Sequence, residues 1–238
     1  MPSSRRPARS AEPSTQADIH ERIYNAIVEQ RQQPGTKLTE ERLAELFKVS
    51  RPQVRGVLQR LAVEQLVTLV PNRGAFVATP TSAEARDVLA VRRTLEPSVV
   101  LRLIESMAAG EGKAAIQKLR ALVKREKQAD ASGDRRTAVR LPGEFHLLLA
   151  ELTGSRLLTR MMRELTPLTC LAILAFEAPT SAACPNDEHV RLIDAIEAGN
   201  AKAATALMID HLHHIESSLR LDTEAEDAEV DLADLLLD

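Results

Sequence analysis

The chain has 238 residues, 44% of them hydrophobic, with 31 Lys and Arg against 34 Asp and Glu, so it is long enough for two domains with real cores. It contains no apolar run of about 18 residues and no short apolar segment behind a basic start, which argues against a membrane span and a secretory signal. The two cysteines, Cys170 and Cys184, lack a paired spacing and fit a reducing cytoplasm better than a disulfide framework, so the expected location is cytoplasmic.

Residues 1–16 place Pro2, Pro7 and Pro13 among serines and arginines and carry too few apolar residues to fold. They are expected to form a flexible arm, solvated or touching phosphates through Arg5, Arg6 and Arg9. Ile19, Ile23 and Ile27 then recur every four residues, which predicts an amphipathic helix over 17–32, stopped by Pro34-Gly35. Residues 43–78 read as a short helix, a turn, a second basic helix and a two-stranded ribbon.

In the second of these helices Val54, Val57, Leu58 and Leu61 share one apolar face, and Arg51, Gln53, Arg55 and Gln59 are left off it. Ser50 and Gln53 have the capping-box spacing, and Pro52 in the first turn gives up an amide that has no helical partner anyway, so the helix starts near Ser50. Two arginines at such a tip suit major-groove reading, because guanidinium groups bond guanine bidentately. Arg60, late in the helix, reads as a solvated face. Leu66 to Val70 and Ala75 to Thr79 are strand-like, with Pro71-Asn72-Arg73-Gly74 as the turn, which puts Arg73 and Gly74 at the tip of a wing close to phosphates or the minor groove. The order of elements is that of a winged helix-turn-helix over 17–80, three helices plus a β-hairpin wing.

After Pro80 the pattern is helical. Thr81 and Glu84 form another capping-box spacing opening a helix to about Ala109, and further helices are predicted over 113–131, 134–153, 155–177, 186–198 and 200–221. The second half, 81–221, is therefore expected to be an all-helical antiparallel bundle, and the fold class mainly α. Pro142 and Pro167 fall inside helical patterns and predict a kink or split. Residues 222–238 form an acidic tail, disordered or weakly helical.

Charge is distributed unevenly. Residues 1–80 hold 12 Lys and Arg against 8 Asp and Glu, residues 81–221 hold 19 against 18, and residues 222–238 hold 0 against 8. The basic excess of the first segment is small, so DNA binding would rest on placed arginines and on two copies of the domain rather than on a broad field.

The words PGTKLTEERLAELFKVSRPQVRGVLQRLAVEQLV and PNRGAFV, over residues 34–77, resemble the GntR family of bacterial transcription regulators. The resemblance implies DNA contacts at Arg51, Arg55, Arg73 and Gly74. Two positions depart from it: Gly56 stands where a larger residue is usual, softening the helix by about 1 kcal/mol relative to alanine or leaving room for a base, and Gln65 stands where glycine is usual.

The words VLAVRRTLEPSVV, EFHLLLAELTGS, DEHVRLIDAIEAGN and MIDHLHHIESSL, spread over 88–219, resemble the FCD effector domain of the FadR-type branch. Many such bundles bind a metal through one aspartate and three histidines, with a small carboxylate beside it. The histidines correspond to His146, His189 and His211, but Pro142 occupies the aspartate position, and proline cannot ligate. Three imidazoles still suit a divalent transition metal, Zn, Ni, Mn or Fe; the bland alternative is a satisfied polar core. Glu144 should point elsewhere, His213 should lie at the surface, and Cys184 could add a soft ligand or have no role. Arg92, slightly preferred over Arg93, is the candidate effector contact, with an ordinary salt bridge as competitor.

The reading is a homodimeric, ligand-responsive regulator that binds a palindromic double-stranded DNA operator under control of a small organic acid, with no catalytic residue and no membrane partner. Two rivals are a metal-dependent enzyme on the three histidines and an architectural DNA-binding protein without effector. Neither a nucleophile elbow nor an HExxH motif is present to favour the enzyme.

Overall fold

The computed structural model describes residues 14–107, 110, 112–176 and 187–222. The expected arm contacts at Arg5, Arg6 and Arg9, the loop residue Cys184 and the tail beyond Asp222 lie outside them. In chain order the elements are α1 (Gln16–Val28), β1 (Lys37–Leu38), α2 (Glu40–Phe47), α3 (Arg51–Val63), β2 (Val67–Val70), β3 (Gly74–Val77), α4 (Ser82–Ser106), α5 (Gly112–Ser132), α6 (Arg135–Leu152), α7 (Arg156–Phe176), α8 (Glu188–Glu197) and α9 (Ala201–Ser218).

Local chemistry sets the starts. Thr15 and Asp18 cap α1 reciprocally, with Thr15 N–H donating to Asp18 Oδ2 at 2.8 Å and Asp18 N–H donating to Thr15 Oγ1 at 3.2 Å. The cap draws Gln16 into the helix, so the expected arm gives way one residue early. α1 ends at Val28 rather than near residue 32, because Gln30 turns to φ +55°. Thr81 and Glu84 cap α4 in the same way, and α4 is α-helical to Ser106; the expected end at Ala109 lies outside the described residues.

The wing differs from the expected two-stranded ribbon. Lys37–Leu38 adds a third strand, giving the order β1-β3-β2, all antiparallel, with Lys37 opposite Phe76 and Val67 opposite Val77. Two residues have too little pattern to announce a strand, and pairing with β3 alone makes them one. At the hairpin tip Asn72 and Gly74 both take positive φ, +60° and +102°.

One core gathers Ile19, Ile23, Ile27, Phe47, Val54, Leu58, Leu61 and Val77 around the sheet, and Leu171 reaches into it from α7. A second joins Leu89, Leu103, Leu119, Phe145, Leu149, Met162, Ile193, Met208 and Leu212 from α4 to α9. Each fully buried aliphatic side chain contributes roughly 1.5–3 kcal/mol. That burial explains why Pro142 and Pro167 do not split their helices as expected. Each costs about 3 kcal/mol and a backbone bond, yet α6 and α7 run through unbroken, with Leu141, Phe145 and Pro167 itself buried.

Gln65 follows α3 at φ +59°, while Leu66 N–H donates to Leu61 O at 2.9 Å. This left-handed turn ends the helix and starts β2, a place that favours glycine. Gly56 has a different explanation from room for a base: a Cβ there would meet Gln16 Nε2 of α1 at 3.3 Å, so the position faces α1.

Candidate functional site

Three helices bring three histidines together. His146 on α6, His189 at the start of α8 and His211 on α9 are 3%, 0% and 2% exposed, and one ring nitrogen from each lies within 4.8 Å of the others. The close passage of α6 over α7 depends on Gly143, since a Cβ there would come to 2.9 Å from Thr166 Cγ2. Phe145 stacks on the His189 ring with centroids 3.9 Å apart.

Each ring is oriented by its own carboxylate. His146 Nδ1–H donates to Glu96 Oε2 at 2.5 Å, His189 Nδ1–H to Glu126 Oε2 at 3.0 Å, and His211 Nδ1–H to Glu188 Oε2 at 2.7 Å. These bonds put the proton on Nδ1, and in His146 and His211 they turn Nε2 towards the centre of the cluster. His146 Nε2 and His211 Nε2 stand 3.1 Å apart. Two ligands on one ion with bonds of about 2.0–2.1 Å would be separated by roughly 2.9–3.4 Å, depending on coordination geometry. The chemistry and spacing of the donor set fit a divalent transition metal.

The electrostatics keep His146 and His211 neutral. Burial pulls the His146 pKa from 6.5 down to about 3, helped by Arg92 and His211 and opposed by Glu96. Burial lowers His211 as well, against its bond to Glu188. For Glu96 burial would raise the pKa, but the Arg92 guanidinium and His146 overcome it and hold the carboxyl at about 2. The hydrogen bond from His211 lowers Glu188.

Arg92 is 2% exposed and donates Nε–H to Glu96 Oε1 at 2.5 Å. The chain Arg92–Glu96–His146 therefore ties the expected effector contact to the histidine cluster. Arg92 Nη2 and Thr166 Oγ1 are buried without a hydrogen-bond partner among the described residues. Cys170, one turn after Thr166, is raised to about 11 by burial, with Arg92 pulling the other way. Arg93 instead pairs with Glu216, Glu144 with Arg140, and His214 with the outer oxygen of Glu188. His213 is exposed, as expected.

The second candidate site lies on the winged unit. Ser50 N–H and Oγ–H both donate to Gln53 Oε1, at 3.0 and 2.9 Å, so Gln53 is folded back on its own helix start. Arg51 pairs with Glu41, and Arg55 makes two bonds of 2.8 Å to Glu40. Arg73 and Gly74 sit on the hairpin and, with Arg55 and Lys37, line a cleft of about 580 Å³ between α3 and the wing. Arg60 is exposed and paired with Glu64 at 3.1 Å.

Sequence reasoning missed the three orienting glutamates. Glu96 had a local signal only towards Arg92, four residues before it; from the histidines they orient, Glu96, Glu126 and Glu188 stand 50, 63 and 23 residues away, too far for a pattern along the chain. The acidic partners of Arg51 and Arg55 were missed too.

Residues 15–77 match the family described as bacterial regulatory proteins, gntR family, and residues 87–214 match the FCD domain. The chain is 28% identical over 208 residues to the HTH-type transcriptional regulator LutR of Bacillus subtilis, covering 78% of this chain and 92% of that protein. It is also 28% identical over 239 residues to the Uxu operon regulator of Haemophilus influenzae, covering 90% and 82%. A crystal structure of a GntR transcriptional regulator from Rhodococcus sp. RHA1 superposes with a TM-score of 0.74 at 24% identity, covering 85% of this chain and 95% of that one. Escherichia coli McbR/YncC superposes at 0.72 with 17% identity, covering 84% and 94%. These are matches to regulators rather than to enzymes, and no helix among the described residues is long and apolar enough to cross a membrane.

Proposed function

The chain belongs to the GntR family of transcription regulators and carries an FCD effector domain, and on that premise we propose that it is a homodimer binding a palindromic operator under control of a small carboxylate and a divalent metal. Two copies of α3 would enter successive major grooves through Arg51, Gln53 and Arg55, with Arg73 and Gly74 placing the wing on the backbone. Gln53 keeps its amide Nε2 for a base while its Oε1 serves the cap.

The observation that carries the effector half is the cluster of three buried imidazoles, each bonded through Nδ1 to its own glutamate and each offering a ring nitrogen within 4.8 Å of the others. His146, His189 and His211 would hold the ion, which supplies when bound an electrophilic centre with positions open to a carboxylate oxygen. Pro142 adds no ligand. Arg92, fixed by Glu96 through Nε, retains Nη2 to donate to the other end of such an acid.

Response to the acid would pass along α7. Its Thr166 and Cys170 lie against α6 beside Gly143, while its Leu171 is buried in the winged core, so movement at one face is felt at the other. An acid shifts the DNA-bound population only if it binds the two arrangements unequally. The test is a duplex recovered by selection from a randomised pool, bound by fluorescence anisotropy with a panel of hydroxy- and dicarboxylic acids on metal-loaded protein. At least one acid is expected to change the affinity, and Arg92→Ala to remove that change. A panel without effect, on protein with metal bound, would count against a carboxylate switch.

A further inference from the structure

Arg55 donates Nε–H to Glu40 Oε1 and Nη2–H to Glu40 Oε2, each at 2.8 Å. That pairing uses one edge of the guanidinium. The other edge keeps an Nη1–H and the second Nη2–H, two parallel donors that match O6 and N7 of guanine. The geometry thus lets Arg55 hold its carboxylate and read a base at once. Both side chains border the cleft between α3 and the wing, with Arg55 60% and Glu40 32% exposed.

A phosphate meets a different situation at the same arginine. To bond the guanidinium it must displace Glu40 or sit beside its carboxylate, and in either case two anions approach. Guanine offers neutral acceptors and is not repelled. The Arg55 hydrogen bond lowers the Glu40 pKa, which keeps the group charged at neutral pH. Glu41 pairs with Arg51 through a single bond to Nη2.

We propose that Glu40 is a selectivity residue that reserves Arg55 for guanine and penalises its use on phosphates elsewhere on DNA. This rests on the DNA-binding reading of α3. It also explains how a winged unit with so small a basic excess can discriminate: Arg55 is withheld from non-specific contacts, which are mostly electrostatic.

The test compares full-length wild type, Glu40→Gln and Arg55→Ala on a randomised duplex pool. Affinity for the unselected pool is measured across salt concentrations, and the sequences selected by each protein are read out. Wild type is expected to enrich guanine at a fixed place in each half-site, and Arg55→Ala to lose that enrichment. Glu40→Gln should bind the unselected pool about three- to fivefold tighter, with a salt slope steeper by about one and weaker guanine enrichment. Circular dichroism melts confirm that the exposed, near-isosteric glutamine leaves the fold unchanged. Glu40→Gln matching wild type in pool affinity and guanine enrichment would overturn the proposal, as would enrichment surviving in Arg55→Ala. A wild type that selects no sequence at all would instead overturn the DNA-binding reading beneath it.

Discussion

The Nε2 atoms of His146 and His211 face one another at 3.1 Å although both rings donate Nδ1–H to a glutamate. Two lone pairs at that separation repel unless a cation lies between them. Elemental analysis of tag-free protein is expected to find about one equivalent of a transition metal, lost in His189→Ala. Glu126→Gln, which weakens the hold on His189, should keep that stoichiometry and lower the metal affinity about 10- to 100-fold in a chelator competition. Wild-type protein that takes up no metal even after reloading at neutral pH would make the cluster a polar core in which the rings share a proton.

Gln65 sits at φ +59° in the turn that ends α3. A side chain in that region costs roughly 1–2 kcal/mol, partly offset in a glycine variant by the greater freedom of its unfolded chain. Gln65→Gly is expected to stabilise the protein by about 0.5–1 kcal/mol, seen as a rise of about 1–4 °C in melting temperature. A lower melting temperature would mean that the glutamine side chain contributes more than its backbone costs.

Leu171 belongs to α7 but is buried in the winged core, 2% exposed. Leu171→Ala should destabilise by about 2–5 kcal/mol. Hydrogen exchange should quicken in α1 and α3 while the histidine cluster still binds metal. Faster exchange confined to α8 and α9 would contradict α7 as the connection between the halves.

Acid should weaken the metal-free protein. With His146 at about 3 in the fold and 6.5 as its ordinary value, the unfolded chain takes up a proton first as pH falls below 6.5. Glu96, at about 2 against 4.5, acts in the same direction at lower pH. The unfolded state therefore binds more protons, and stability is lost as pH drops from 6.5 towards 3. Denaturant midpoints at stepped pH should show this decline, and His146→Asn should flatten its upper part. An unchanged slope in the variant would assign the decline to other groups.

The features legible in the amino-acid order lie close along the chain. Ile19, Ile23 and Ile27, the Thr81 and Glu84 cap, and the apolar face of Val54, Val57, Leu58 and Leu61 are patterns within two turns, so element type and the winged order could be read from them. The three histidines were legible through the words around them. Long-range packing decided β1, because Lys37–Leu38 is a strand solely by pairing with β3. It also decided that Glu126 orients His189 across 63 residues, that Glu40 and Glu41 hold the arginines of α3, and that Leu171 joins the other half's core. Periodicity reports which face of a helix is buried, but the partner on that face is chosen by long-range packing, and the chemistry of both sites depends on those partners.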